Sequence, residues 1–223
     1  MDWQAFYLSV KLGAGTCAIL IPLAVLIARQ LAWKRFMGKN TLQALLALPL
    51  LLPPTVLGFY LLVGLGNRSV IGRTYEDLFG TPLVFSFEGL LLASILFNIP
   101  FAVQPIQRSF EAISVSLREA AWSCGLSGWT AFWKIELPLA WPGILGAVIL
   151  TFAHTLGEFG VVLMVGGNIE GETRTIAIAI YDRVQAFDNR GAGIMSAFLL
   201  GLSFASIVLI HTLNDRLERR HGH

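Results

Sequence analysis

The sequence predicts an all-α polytopic membrane protein of about five transmembrane helices, and three observations carry that expectation. Of the 223 residues 55% are hydrophobic and only 13% charged, where soluble domains run nearer a quarter charged. The mean hydropathy is +0.68. The apolar residues gather into long stretches, each close to the roughly 20 residues a bilayer core requires of a helix. Lysine and arginine then fall in alternate connections between those stretches, as topology demands.

Taken in order, residues 12–28 are free of charge, and residues 6–10 extend them past Lys11, which can snorkel to the near interface. Met-Asp precedes this run, with no basic lead and no small-x-small cleavage pattern, so it is expected to be a retained span and not a signal peptide. Pro22 is expected to kink it. Residues 40–67 hold a second span interrupted by Pro49 and by Pro53-Pro54, and residues 89–107 a third with Pro100 and Pro105 near its end. Residues 137–157 and 191–214 supply the fourth and fifth. Between these two, residues 159–169 are apolar but too short to cross, 171–174 read as a wet turn, and 175–181 are apolar again. Such a piece is expected to be re-entrant or interfacial, because irregular backbone at that depth must lie against protein or a water-filled cavity.

The first connection holds Arg29, Lys34, Arg35 and Lys39 without an acid, which places it in the cytoplasm. Arg68, Arg73, Glu76, Asp77 and Glu88 mark an outside connection, and residues 158–190, richer in acids than bases, another. Arg108, Arg118 and Lys134, and later Arg216, Arg219 and Arg220, belong inside. The N-terminus is therefore expected outside and the C-terminus inside. The whole of 1–223 is expected to form a single membrane domain, with no repeats. Scattered basic residues and a net charge of +2 give no nucleic-acid patch. Cys17 and Cys124 offer neither a disulfide framework nor a metal spacing and are expected to be buried small residues.

The connection at about 116–138 reads as helix. Leu117, Ala120, Ala121 and Cys124 form one apolar stripe, Gly125 suits a left-handed stop, and Ser127 can cap a second short helix carrying Trp129, Phe132 and Trp133. Pro138 opens the next apolar run. A stiff helical elbow outside the membrane needs something to push against; the competing expectation is a helix lying on the membrane surface.

This stretch, with Glu119-Ala120-Ala121, Gly125 four residues beyond, then Ile135-x-Leu137-Pro138, resembles the EAA loop of ABC importer permeases. The resemblance implies a cytoplasmic coupling helix that docks on a separate ATPase subunit, with Glu119, Ala120, Ala121, Gly125 and Leu126 at the contact. Leu48-Pro49-Leu50-Leu51-Leu52-Pro53-Pro54-Thr55-Val56, Gly157-Glu158-Phe159-Gly160 and Asn168-Ile169-Glu170-Gly171-Glu172-Thr173-Arg174-Thr175-Ile176 look like segments of the molybdate-type permeases. Sulfate-type permeases share part of this, so sulfate or thiosulfate is the near alternative to molybdate or tungstate. What the resemblance implies is a prokaryotic inner-membrane permease that works as two copies of this chain with two ATPase subunits and a soluble binding protein. The chain itself is expected to hold no cofactor, ATP and magnesium residing on the ATPase. The sequence has no G-x-x-x-x-G-K-[ST] run; its Gly38-Lys39 is followed by Asn40.

Four residues stand out as pathway or gate candidates: Pro53, Pro54, Thr55 and Glu158. A broken span frees backbone groups, and an ionisable group near membrane depth needs compensation. A carboxylate repels an oxyanion, so Glu158 is expected to serve a gate or structural role, paired with an arginine such as Arg174 or with backbone amides beside Gly157 and Gly160. His154 lies four residues before Glu158, which would set both on one helix face. With His211 they raise an intramembrane metal-dependent hydrolase as the different-class alternative, but HExxH, a full ligand set and a nucleophile are missing. Gly13, Gly15, Gly143 and Gly146 are expected at close helix contacts.

Overall fold

Asp2 opens the first helix, its carboxylate accepting the Ala5 amide at 2.9 Å in the manner of an N-cap. The computed structural model describes the backbone of residues 1–221, with side chains through residue 209 and Thr212. The His211, Arg216, Arg219 and Arg220 side chains invoked above lie outside the described residues. Eleven α-helices follow one another, and no strand forms among the described residues. They are α1 (Trp3–Trp33), α2 (Lys39–Leu51), α3 (Pro54–Leu65), α4 (Val70–Phe79), α5 (Phe87–Glu111), α6 (Val115–Ser123), α7 (Gly128–Ala131), α8 (Leu137–Gly157), α9 (Gly160–Gly166), α10 (Ile176–Gln185) and α11 (Asn189–His221). A π-helical segment, Phe132–Glu136, joins α7 to α8.

Among the described residues, four helical runs are long and apolar enough to cross a membrane: α1, α5, Gly128–Gly157 and Asn189–Leu209. The expected second span is corrected in form. It is two helices, α2 and α3, bent by 112° at the break, so it counts as a fifth crossing only if the bent pair is one span. The cause is local: each proline of Pro53-Pro54 drives the residue before it out of the helical region, and Leu52 and Pro53 are both extended, with ψ of 137° and 136°. Pro22, by contrast, sits within a helix that runs on unbroken.

α1, α5 and α8 form the central bundle. Ala24 and Ala28 of α1, Ala102 of α5 and Ala140 and Ala147 of α8 are fully buried in one cluster with Leu31, Ile106 and Phe110. Small residues let apolar helices approach closely where water supplies no driving force. Gly13 and Gly143 serve the same end, since a Cβ there would lie 2.9 Å from Phe152 and 2.5 Å from Ser109. Gly15 faces Leu91 at 3.2 Å, but Gly146 meets nothing within 4 Å and is not a contact glycine within this chain. Polar side chains bridge the three helices: Thr16 donates to Ser94 at 2.9 Å, and the Asn98 amide donates to Thr155 at 3.1 Å.

The two ends of the bundle differ. At one, α10 packs beside the start of α1, the Ile176 amide donating to Ser9 at 2.8 Å, and Phe198 of α11 meets Phe6 edge-on at 5.3 Å. At the other, the last turns of α1 meet α6 and the π segment. The first connection and the elbow thus share one end, as the charge pattern predicts.

Candidate functional site

The elbow is built as its sequence suggests. Ser114 caps α6, accepting the Leu117 amide at 3.4 Å. Gly125 stops it with φ of 77°, while the Leu126 amide donates back to the Ala121 carbonyl at 3.1 Å and the Gly125 amide to Trp122 at 2.9 Å. This closure resembles a Schellman turn, which a left-handed glycine makes cheaply. Ser127 then caps α7 through the Thr130 amide at 3.2 Å. Only four residues, 124–127, separate the two helices, and the closing turn and cap hold them, so the elbow is stiff.

Its surfaces divide unevenly. Of the expected contact residues, Glu119, Ala120 and Gly125 are exposed, Leu126 is half-buried and Ala121 is buried. Leu117 and Cys124 of the apolar stripe are also exposed, which corrects the expectation that Cys124 is buried. The reason is position: α6 lies across the end of the bundle, and only its Arg118 and Ala121 side turns inward.

That inward side carries a feature the sequence reading missed. Glu136, 2% exposed, ends the π segment and is held by Arg29, whose Nε donates to it at 2.6 Å and Nη2 at 3.3 Å. Arg118 approaches Oε1, the oxygen that takes the longer Arg29 contact, to 3.9 Å and lies 3.7 Å over the Trp33 ring. Burial lowers the Arg118 pKa from its ordinary value, Glu136 opposing that shift and Arg29 adding to it. Trp33 in turn donates its indole N–H to the Phe110 carbonyl at 3.1 Å. Arg29 had been legible only as a topology charge. The available signal was a lone carboxylate on the threshold of an apolar run, which requires a partner.

The pathway candidates converge at a second place. A Cβ on Gly160 would stand 2.7 Å from that of Pro54, and one on Gly58 would stand 2.8 Å from the Met164 Cβ and 3.2 Å from the Val161 Cα. The short α9 therefore lies hard against α3, bringing Pro53-Pro54 beside the Glu158–Gly160 bend. Glu158 is buried and accepts the Val161 amide at 2.8 Å. Between the two partners expected for it, the structure selects backbone amides. Arg174 is elsewhere, donating to Asn168 at 2.7 Å with Glu170 and Asp182 at 3.5 and 3.7 Å. Pro53, Pro54 and Thr55 are exposed at the break. Gly58→Leu is expected to cost about 1–3 kcal/mol through overpacking. Thermal denaturation of the detergent-solubilised chain checks this against Gly64→Leu, whose Cβ meets nothing within 4 Å; equal midpoints would refute the close contact.

His154 does not share a helix face with Glu158, because Glu158 is extended beyond the end of α8. Its ring packs against Phe97 and Phe101 at 4.7 and 3.8 Å, and Nδ1 meets the Asn98 Oδ1 at 3.1 Å. Among the described residues no three His, Cys, Asp or Glu side chains are grouped to hold a metal ion. The geometry gives α8 a packed histidine and gives hydrolysis no assembled centre.

Residues 20–222 match the family described as binding-protein-dependent transport system inner membrane component. The chain is 42% identical to the molybdenum transport system permease protein ModB of Azotobacter vinelandii, covering 95% of this chain and 93% of that one. It is 37% identical to ModB of Escherichia coli K12, covering 99% and 97%. A probable sulfate transport system permease protein, cysT of Chlorella vulgaris, is 32% identical over 93% of this chain and 78% of its own. Among solved structures, a bacterial ABC transporter that imports alginate superposes with a TM-score of 0.71 at 17% identity, covering 97% of this chain and 78% of its own. The inward-facing methionine transporter MetNI gives 0.65 at 17%, covering 98% and 93%. At such identity these two speak for the fold alone. With its apolar bundle and protruding elbow, the chain belongs to the family of inner-membrane components of binding-protein-dependent transport systems.

Proposed function

We propose that the chain is the membrane-spanning permease subunit of an ATP-driven importer for molybdate or tungstate in the cytoplasmic membrane. The carrying observation is the similarity to ModB of Azotobacter vinelandii across nearly the whole of both chains. Two copies would form the pathway, with two ATPase subunits below and a soluble binding protein delivering the ion from outside. ATP and magnesium would reside on the ATPase. In this arrangement the N-terminus is outside and the elbow inside, which the basic first connection supports.

The elbow supplies the mechanism. Glu119, Ala120 and Gly125 face outward on a short capped helix, and small residues around one carboxylate suit a groove in a partner. ATP binding would draw the two elbows together, turn the helices outward and admit the ion; hydrolysis would reset the inward-facing state. The pivot region would be the α3–α9 contact, where Pro54 meets Gly160 two residues from Glu158. Thr55, with its hydroxyl and first-turn amide, is the group at the break suited to pass an oxyanion weakly, while Glu158, engaged with the Val161 amide, acts as a brace and not as a ligand.

Sulfate is the second reading, favoured by the 32% identity to the Chlorella permease. Proteoliposomes holding the full complex and its binding protein distinguish the two. ATP-dependent molybdate uptake that excess sulfate leaves unchanged is expected; sulfate uptake that molybdate does not compete would overturn the ion assignment.

A further inference from the structure

Three elements with different duties meet at Glu136. Arg29 belongs to the last turns of α1, Arg118 to the elbow helix α6, and Glu136 to the root of α8. Arg29 grips the carboxylate with two nitrogens, at 2.6 and 3.3 Å. Such charge-assisted contacts from a planar guanidinium fix direction as well as distance. Arg118 differs. Its Nε is buried without a hydrogen-bond partner and stands 3.9 Å from Oε1 of the same carboxylate, the oxygen that takes the longer Arg29 contact.

We infer that this cluster is the joint through which the elbow drives the first span, with Arg29 as its fixed half and Arg118 as its moving half. The inference rests on the transporter reading above and deepens it. Arg118 is one short step from a full hydrogen bond, since closing 3.9 Å to the usual distance of about 2.9 Å takes about 1 Å of travel. Its guanidinium carbon lies 3.7 Å from the centre of the Trp33 ring, so the step is a slide over a ring face that keeps the cation–π contact. Trp33 is itself tied to the Phe110 carbonyl, which gives the slide a fixed track at the ends of α1 and α5.

Glu136 closes a π-helical segment, a geometry found mostly as single turns within α-helices and frequently at functional positions. A displacement of α6 toward Glu136 completes a two-arginine clasp and transmits force to α1 through Arg29. A displacement away leaves the Arg29 pair intact and unloads the first span. The elbow's motion is thereby passed on and not lost in a loose connection. Neither Arg29 nor Glu136 lies on the exposed face of α6, so this role is separate from ATPase docking.

The test uses the complete transporter with its ATPase and binding protein in proteoliposomes, and reads ATP hydrolysed per ion imported. Arg118→Met removes the moving half. Arg29→Met/Arg118→Met/Glu136→Met removes both halves with their carboxylate and strands no charge, a replacement that buried ion triads commonly tolerate. Both variants are expected to retain the ATPase, to keep thermal stability and ATP turnover, and to raise the ATP-to-ion ratio about tenfold, within the usual range of coupling between sites. Arg118→Lys, with charge but no planar guanidinium, is expected to fall between. An unchanged ratio in both variants overturns the joint. So does a proportional fall in hydrolysis and uptake, which is what a purely structural role produces. If the wild-type complex imports no oxyanion on ATP addition while its ATPase is active, the transporter reading itself fails and the joint with it.

Discussion

Glu136→Ala is expected to lower the unfolding free energy of the chain by about 3–5 kcal/mol, the usual cost of stranding buried charge by deleting one partner of an ion pair. The carboxylate is nearly inaccessible, and the Arg29 and Arg118 side chains beside it are 25% and 17% exposed. Without it two guanidinium groups face each other at the end of the bundle, and arginine cannot escape by losing its proton. Neither can withdraw easily, Arg118 being stacked on Trp33 and Arg29 lying 5.2 Å from the Phe132 ring. Denaturation of the detergent-solubilised chain measures the loss. Glu119→Ala is the matched control, an exposed carboxylate on the same elbow, and is expected within about 0.5 kcal/mol of wild type. A Glu136→Ala midpoint no lower than that control would show that the cluster contributes no net stability.

What could be read in the sequence follows from what is local. Gly125 announces a helix stop because only its own φ matters, and Ser127 announces a cap because its partner, Thr130, is three residues away. The break at Pro53-Pro54 is equally local, although its 112° angle is not; the angle depends on α9 seating Gly160 against Pro54. Glu136 could not be paired from sequence because Arg29 lies 107 positions earlier, and nothing in either neighbourhood names the other. Asn98 was missed for the same reason, its partners Thr155 and His154 arriving from α8. The stripe on α6 misled about burial because periodicity reports a face and not what covers it. In this chain most of that face is uncovered, which is where a partner subunit becomes the economical explanation.

The largest effect on transport is expected from the elbow itself. Gly125→Pro should reduce ATP-driven uptake by at least about tenfold, the size of an ordinary coupling free energy. Proline fixes φ near −65°, whereas Gly125 adopts 77° and uses its amide to close on Trp122; both requirements are lost together, and α6 no longer ends where α7 can begin. Because that change is structural, Glu119→Lys is the decisive companion. Glu119 is exposed, and among the described residues its carboxylate takes part in no salt bridge, so the chain's own stability should move by no more than about 0.5 kcal/mol. Charge reversal against a complementary partner costs far more, since like charges juxtaposed at an interface cost several kcal/mol. The expected result is therefore a folded permease that releases the ATPase on purification, or keeps it while hydrolysis proceeds without import. Wild-type uptake and a retained ATPase in both variants would remove α6 as the docking element and leave it as a surface helix.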